Sequence, residues 1–145
     1  MQTPITRSCT KSFTFDAAHR IIGHDGKCKY LHGHTYTLEI TALSEKLNYL
    51  GMVVDFSILK SLAGGWINDN LDHTTILSIE DKDLGDYIEK VTHQKVFYLN
   101  NHPTAENLAT YFKYDVCFKL FSSYANDFII EKIKLFETNT SWVEV

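Results

Sequence analysis

Two stretches of strict two-residue alternation, set close together, constrain this chain most. In "SFTFDAAH", Phe13, Phe15, Ala17 and His19 fall on one parity. In "HGHTYTLEITAL", His32, His34, Tyr36, Leu38, Ile40 and Ala42 do the same. Side chains two apart share a face of a strand, so each stretch predicts a strand with one apolar face. All three histidines lie at the ends of those faces.

Further along, the period changes. In "DFSILKSLAGGWINDNL", Phe56, Leu59, Ala63, Trp66 and Ile67 predict a helix capped by Asp55, with Gly64 and Gly65 weakening it or ending it early. "HPTAENLATYF" predicts a second helix. Thr104 caps it, Glu106 sits in the first turn where the helix dipole favours a carboxylate, and Leu108, Phe112, Val116 and Leu120 continue the stripe. "FIIEKIKLFET" alternates again, with Ile129, Ile133, Leu135 and Glu137 on one face, and "TSWVEV" supplies a last short strand. Residues 78–101 contain the apolar "VFYL" but no clear period, and receive no element. The order ββααββ predicts an α+β fold: a four-stranded antiparallel sheet with two helices packed on one face, in a single domain spanning 1–145. Such a sheet leaves open edges for another subunit to cover.

A chain of 145 residues can bury a core without disulfide staples. Its three cysteines are an odd number at scattered positions, which argues against a disulfide framework. The N-terminus has no apolar signal region and no later run is long enough to span a bilayer, so a cytoplasmic location without a membrane partner is expected. A net charge of −4 without a Lys/Arg block predicts no nucleic-acid partner.

Three imidazoles converging from two strands suit Zn²⁺, which in catalytic sites keeps one position open. His24, His93 and His102 fall in expected loops. Cys28, in "CKYLHGH", has two readings. It could close a structural Cys-His₃ zinc module, or it could be a base beside an open site, where Lys27, Lys29 and a divalent cation favour thiolate. Asp72 beside His73 could orient a proton carrier or form a surface turn. Glu137 extends an apolar face, where a lone carboxylate is costly without a partner. Paired N–H donors on a guanidine-like heterocycle edge would satisfy it, as would water at the strand end. Cys9 and Cys117 read as a strand residue and a helix-face residue, with no chemistry attached.

In order along the chain, "FDAAHR", "GKCKYLHGHTYTLEI", "GMVVDFSILK", "LDHTTIL", "HPTAENLA" and "ETNTSW" resemble the blocks of the 6-pyruvoyl-tetrahydropterin synthase / 6-carboxy-tetrahydropterin synthase family. The resemblance implies a tunnelling fold whose subunits form trimeric barrels, two of which stack into a homohexamer. It implies His19, His32 and His34 as zinc ligands, Cys28 as catalytic base, Asp72 and His73 as a proton-relay pair, and Glu137 as the carboxylate that anchors the pterin. Glu106 lies in a block close to the pterin pocket of a neighbouring subunit in such proteins, with helix capping as its simpler role. His102 and Asn139 stand where the family usually has Asn and Pro. A folate-pathway variant carries Glu at the Cys28 position. The implied substrate is 7,8-dihydroneopterin triphosphate, with Arg20, Lys27 and Lys29 near enough in sequence to attract the triphosphate. "ETNTSW" and "GMVVDF" resemble the carboxy-forming, queuosine-pathway branch, implying 6-carboxy-5,6,7,8-tetrahydropterin, acetaldehyde and triphosphate as products. The sister reaction, giving the 6-pyruvoyl product, uses the same site residues.

Overall fold

The computed structural model describes residues 2–145. The two alternating stretches form β1 (Arg7–His19) and β2 (His32–Ser44), paired antiparallel along their whole length from Arg7–Ser44 to His19–His32. Then follow α1 (residues 56–70), β3 (Thr74–Ser78), α2 (Lys82–Thr92), β4 (Val96–Leu99), α3 (residues 105–120), β5 (Ile129–Thr138) and β6 (Ser141–Glu144). The strands make one six-stranded sheet in the order β4-β3-β1-β2-β5-β6.

This corrects the expected four-stranded antiparallel sheet with two helices on one face. The sheet is mixed, because β3 runs parallel to β1 and β4 parallel to β3. Parallel neighbours need a crossover, and residues 79–95 supply it with α2. Every residue of β3 is buried. Ile76 joins the main core, while Leu77 packs with Ile88 of α2 and Val96 of β4. A strand covered on both faces shows no alternation, which is why "TTILS" was silent as a strand signal.

The main core lies on the histidine-bearing face, covered by α1 and α3. Tyr36, Leu38, Ile40, Leu59, Leu108, Phe112, Ile133 and Leu135 are each at most 2% exposed. Side chains of this kind contribute roughly 1.5–3 kcal/mol each on full burial. Asp55 caps α1 by accepting from the Ser57 amide at 2.8 Å, and Thr104 caps α3 through Asn107. The glycine pair does not end α1, which continues to Asn70 through a π-helical segment, Lys60–Gly64. A Cβ on Gly64 would stand 3.0 Å from the Phe13 ring, so glycine there lets the helix approach β1. Ile129 is exposed rather than core-facing, because an irregularity in the β2–β5 pairing near Thr41 shifts the alternation at the start of β5. Among the described residues, no helix is long and apolar enough to cross a membrane.

Candidate active site

The β1–β2 register builds the site. His19 lies directly opposite His32, and His34 pairs with Ala17, which makes it the diagonal neighbour of His19. All three imidazoles project from the core face and end within 4.8 Å of one another at their ligand atoms. The Nε2 atoms of His19 and His32 are 3.0 Å apart. Nδ1 of His19 donates to the Pro103 carbonyl at 2.8 Å, and Nδ1 of His32 donates to the Tyr30 carbonyl at 2.6 Å. A carbonyl only accepts, so both Nδ1 atoms carry protons and the neutral rings present lone pairs at Nε2.

Two acceptors facing each other at 3.0 Å repel unless an electrophile lies between them. Burial pushes His19 below the ordinary imidazole value, against the opposing pull of the Pro103 hydrogen bond and the Glu137 charge, and burial does the same to His34. Protonation of His19 or His34 is therefore a disfavoured remedy. His34 Nε2 is buried without a hydrogen-bond partner. Nitrogens bound to zinc at about 2.0–2.1 Å in a tetrahedral shell lie roughly 3.3 Å apart, close to the spacing here. Carbonyl partners on the non-ligating nitrogens are what ligating histidines need. The donor set fits a divalent metal.

Glu137 of β5 completes the cluster's rim. Its Oε1 lies 3.6 Å from His34 Nε2 and its Oε2 lies 4.0 Å from His19 Nε2, and the side chain is 28% exposed. The carboxylate is thus beside the histidines and open to a ligand.

Cys28 sits in the 3₁₀ turn Lys27–Lys29 of the β1–β2 connection, half-buried. It does not belong to the converging ligand group. Asp72 and His73 form a pair at 3.0 Å, and the Asp16 amide donates to the other Asp72 oxygen at 2.9 Å, which holds that carboxyl below the usual range. His73 adopts a left-handed conformation (φ 57°) and is 78% exposed. The Asp16 carboxylate gathers with this pair. Asp16 and Thr35 alternate with Ala17 and His34, so the pair lies on the sheet face opposite the three histidines. A pocket of about 390 Å³ opens at this end of the hairpin, lined by Asp16, Thr35, His73 and Gln94 and reaching Ala17 and His34.

Glu106 is exposed in the first turn of α3. Arg20 is engaged by Asp81 at 2.5–2.6 Å. Sequence reasoning missed Asp16, Asp81, Tyr36 as a wall of the histidine cluster, and the carbonyls of Tyr30 and Pro103. A backbone carbonyl has no sequence signature. Asp16 was visible in "FDAAH" as a charge on the polar parity of a strand.

The sequence matches the 6-pyruvoyl tetrahydropterin synthase family over residues 8–145. The chain belongs to that family. A Rickettsia bellii protein named 6-carboxy-5,6,7,8-tetrahydropterin synthase is 53% identical over 137 residues, 94% of this chain and 98% of the relative. A Haemophilus influenzae protein of the same name is 36% identical, over 93% and 95% of the two chains. Among solved structures, an uncharacterized protein from Wolinella succinogenes superposes with a TM-score of 0.80 at 19% identity, over 97% of this chain and 98% of that one. A catalytic-residue mutant of Plasmodium vivax 6-pyruvoyltetrahydropterin synthase gives 0.73 at 18%, over 97% of each chain. Both structures share this chain's fold over nearly its whole length.

Proposed function

We propose that the protein is a zinc-dependent 6-carboxy-5,6,7,8-tetrahydropterin synthase of queuosine (7-deazaguanine) biosynthesis, acting in the cytoplasm on 7,8-dihydroneopterin triphosphate. The observation that carries this reading is the pair of lone-pair nitrogens at 3.0 Å with the Glu137 carboxylate beside them. Family membership supports the pterin substrate. The relatives at 53% and 36% identity, by their name, support the carboxy product.

His19, His32 and His34 would hold Zn²⁺. When bound, the ion supplies a Lewis acid that acidifies the substrate's hydroxyl-bearing side chain and steadies the negative charge developing on it. Glu137 accepts two N–H bonds from the aminopyrimidinone edge and holds the ring beside the cluster. The Cys28 thiolate removes a proton from the side-chain carbon, and His73, oriented by Asp72, exchanges protons on the other side. Elimination of triphosphate is followed by hydrolytic cleavage of one carbon–carbon bond, in which a water supplies the second carboxylate oxygen and the two terminal carbons leave as acetaldehyde. Oxidation of the side chain balances reduction of the ring, so neither reductant nor nicotinamide is consumed.

In one chain the histidines and the Asp72–His73 pair occupy opposite sheet faces, which supports a site shared between subunits. The homohexamer implied by the family resemblance would bring one subunit's Asp72–His73, and Glu106 from its α3, to another's cluster. β4 and β6 are the outer strands of the sheet, and their outer edges are what such an assembly would cover.

Incubation with 7,8-dihydroneopterin triphosphate, without reductant, should yield acetaldehyde and triphosphate in equal amounts, with 6-carboxytetrahydropterin. A 6-pyruvoyl product without acetaldehyde would overturn the product assignment. Absence of both turnover and pterin binding in zinc-loaded protein would leave a structural zinc module.

A further inference from the structure

The β1–β2 connection, residues 20–31, carries Cys28 yet contains no buried residue. Its larger apolar side chains face outward, with Ile22 39%, Leu31 47% and Tyr30 62% exposed. Packing within the chain therefore holds the turn that presents the thiol only loosely, through the half-buried Ile21 and Cys28.

Hydrogen bonds organise the loop internally. The Ile21 amide donates to the carbonyl of Cys28 itself at 2.8 Å, and the Tyr30 amide donates to Lys27 at 3.0 Å. These bonds tie the turn to the root of the loop but not to the body of the protein. Beyond the backbone pairing of β1 with β3 that ends at His19–Ile76, the loop's side-chain hydrogen bonds to the body of the protein come, among the described residues, from one residue. Arg20 Nε donates to Asp81 Oδ2 at 2.6 Å, and its Nη2 donates to Oδ1 at 2.5 Å. Asp81 is 5% exposed and lies at the start of α2, the crossover helix. A two-pronged guanidinium–carboxylate bond fixes direction as well as distance. Arg20 follows His19 and precedes Ile21, so a fork anchored on Asp81 sets the point where the chain leaves β1. Ile21 passes that placement to Cys28.

We infer that Arg20 and Asp81 form a positioning pair for Cys28, with Arg20 committed to the loop and not to the triphosphate. The catalytic consequence rests on the reading of Cys28 as the base. The structural consequence, a loop whose side-chain tether to the body is this ion pair, does not.

The experiment uses the zinc-loaded full chain and three variants: Asp81→Asn, Arg20→Lys and the apolar pair Arg20→Met/Asp81→Leu. Leaving the buried Asp81 carboxylate without its half-buried partner can unfold a protein, whereas replacing both is often tolerated, so the double variant keeps the test decisive if the single ones do not fold. Backbone hydrogen exchange at Ile21 and Tyr30 should be at least roughly tenfold faster in every folded variant, with global melting of the double variant near wild type. In Asp81→Asn and Arg20→Lys alike, kcat should fall by about ten- to a hundredfold, the scale of an ångström of misplacement, with KM within about twofold. The inference is overturned if loop exchange stays at the wild-type rate. It is also overturned if Arg20→Lys raises KM while Asp81→Asn, which keeps Arg20, does not. Cys28→Ala is measured in parallel. Full turnover there would remove the base assignment, while the exchange data would still decide whether the ion pair holds the loop.

Discussion

The protons on Nδ1 of His19 and His32 are committed to the Pro103 and Tyr30 carbonyls, and that commitment forces their Nε2 lone pairs together. Removing one of them should undo the arrangement: His32→Ala should lose most bound zinc by metal analysis. Full zinc in that variant, with loss in Cys28→Ala, would reverse the ligand assignment. Cys28→Ala should instead keep metal and fold while turnover drops about 10²–10⁴-fold, the usual cost of deleting a general base. Burial lowers the folded-state pKa of His19 and His34, so the unfolded chain takes up protons first as pH falls. Their contribution to stability is complete above the unfolded imidazole value of about 6.5 and is lost as pH drops through it toward the lower folded values. Chelator-treated protein should therefore show a urea midpoint that declines steadily from about pH 7 to pH 5. A midpoint that rises over that interval would contradict the assignment. The histidine triad was legible because strand alternation places residues on faces. What the triad leans on was not, since it consists of carbonyls brought in from residues 30 and 103.

At the scale of elements, β1, β2, α1, α3, β5 and β6 follow from their periods and caps, while β3, α2 and β4 do not. "TTILS" is buried on both faces and "VFYL" is four residues long, so neither shows a period to read. Helix α2 ends on a left-handed His93 where glycine is the usual signal. Its packing rests on a glycine instead. A Cβ on Gly85 would stand 1.9 Å from the Tyr98 hydroxyl, so Gly85→Ala must displace that ring. Alanine's better helix propensity offers about 1 kcal/mol, against roughly 1–3 kcal/mol for overpacking. Net destabilisation in a urea melt is the expected result, and a gain in stability would show that α2 does not rest on Tyr98. The Tyr98 hydroxyl is buried without a partner. Tyr98→Phe should then leave the midpoint unchanged or raise it slightly; a clear loss would mean the hydroxyl has a bonded partner.

Across the whole molecule, the division of site residues between two sheet faces is the feature that one strand's alternation could not reveal. His34 and Asp16 are both near the hairpin end, yet parity sends them to opposite sides. A site shared between subunits predicts complementation. Inactive Cys28→Ala and His73→Ala proteins, dissociated and reassembled together, should recover measurable turnover, and no recovery from a confirmed mixed oligomer would confine the site to one chain. The particle itself should sediment near six times the chain's 16.7 kDa. The central claim is an open three-histidine zinc site with Cys28 beside it as base, and X-ray absorption at the zinc edge tests it most directly. Three nitrogen-type histidine scatterers and light oxygen donors, without a sulfur shell at about 2.3 Å, are the predicted result. A zinc–sulfur distance there, abolished in Cys28→Ala, would make Cys28 a ligand and contradict the account.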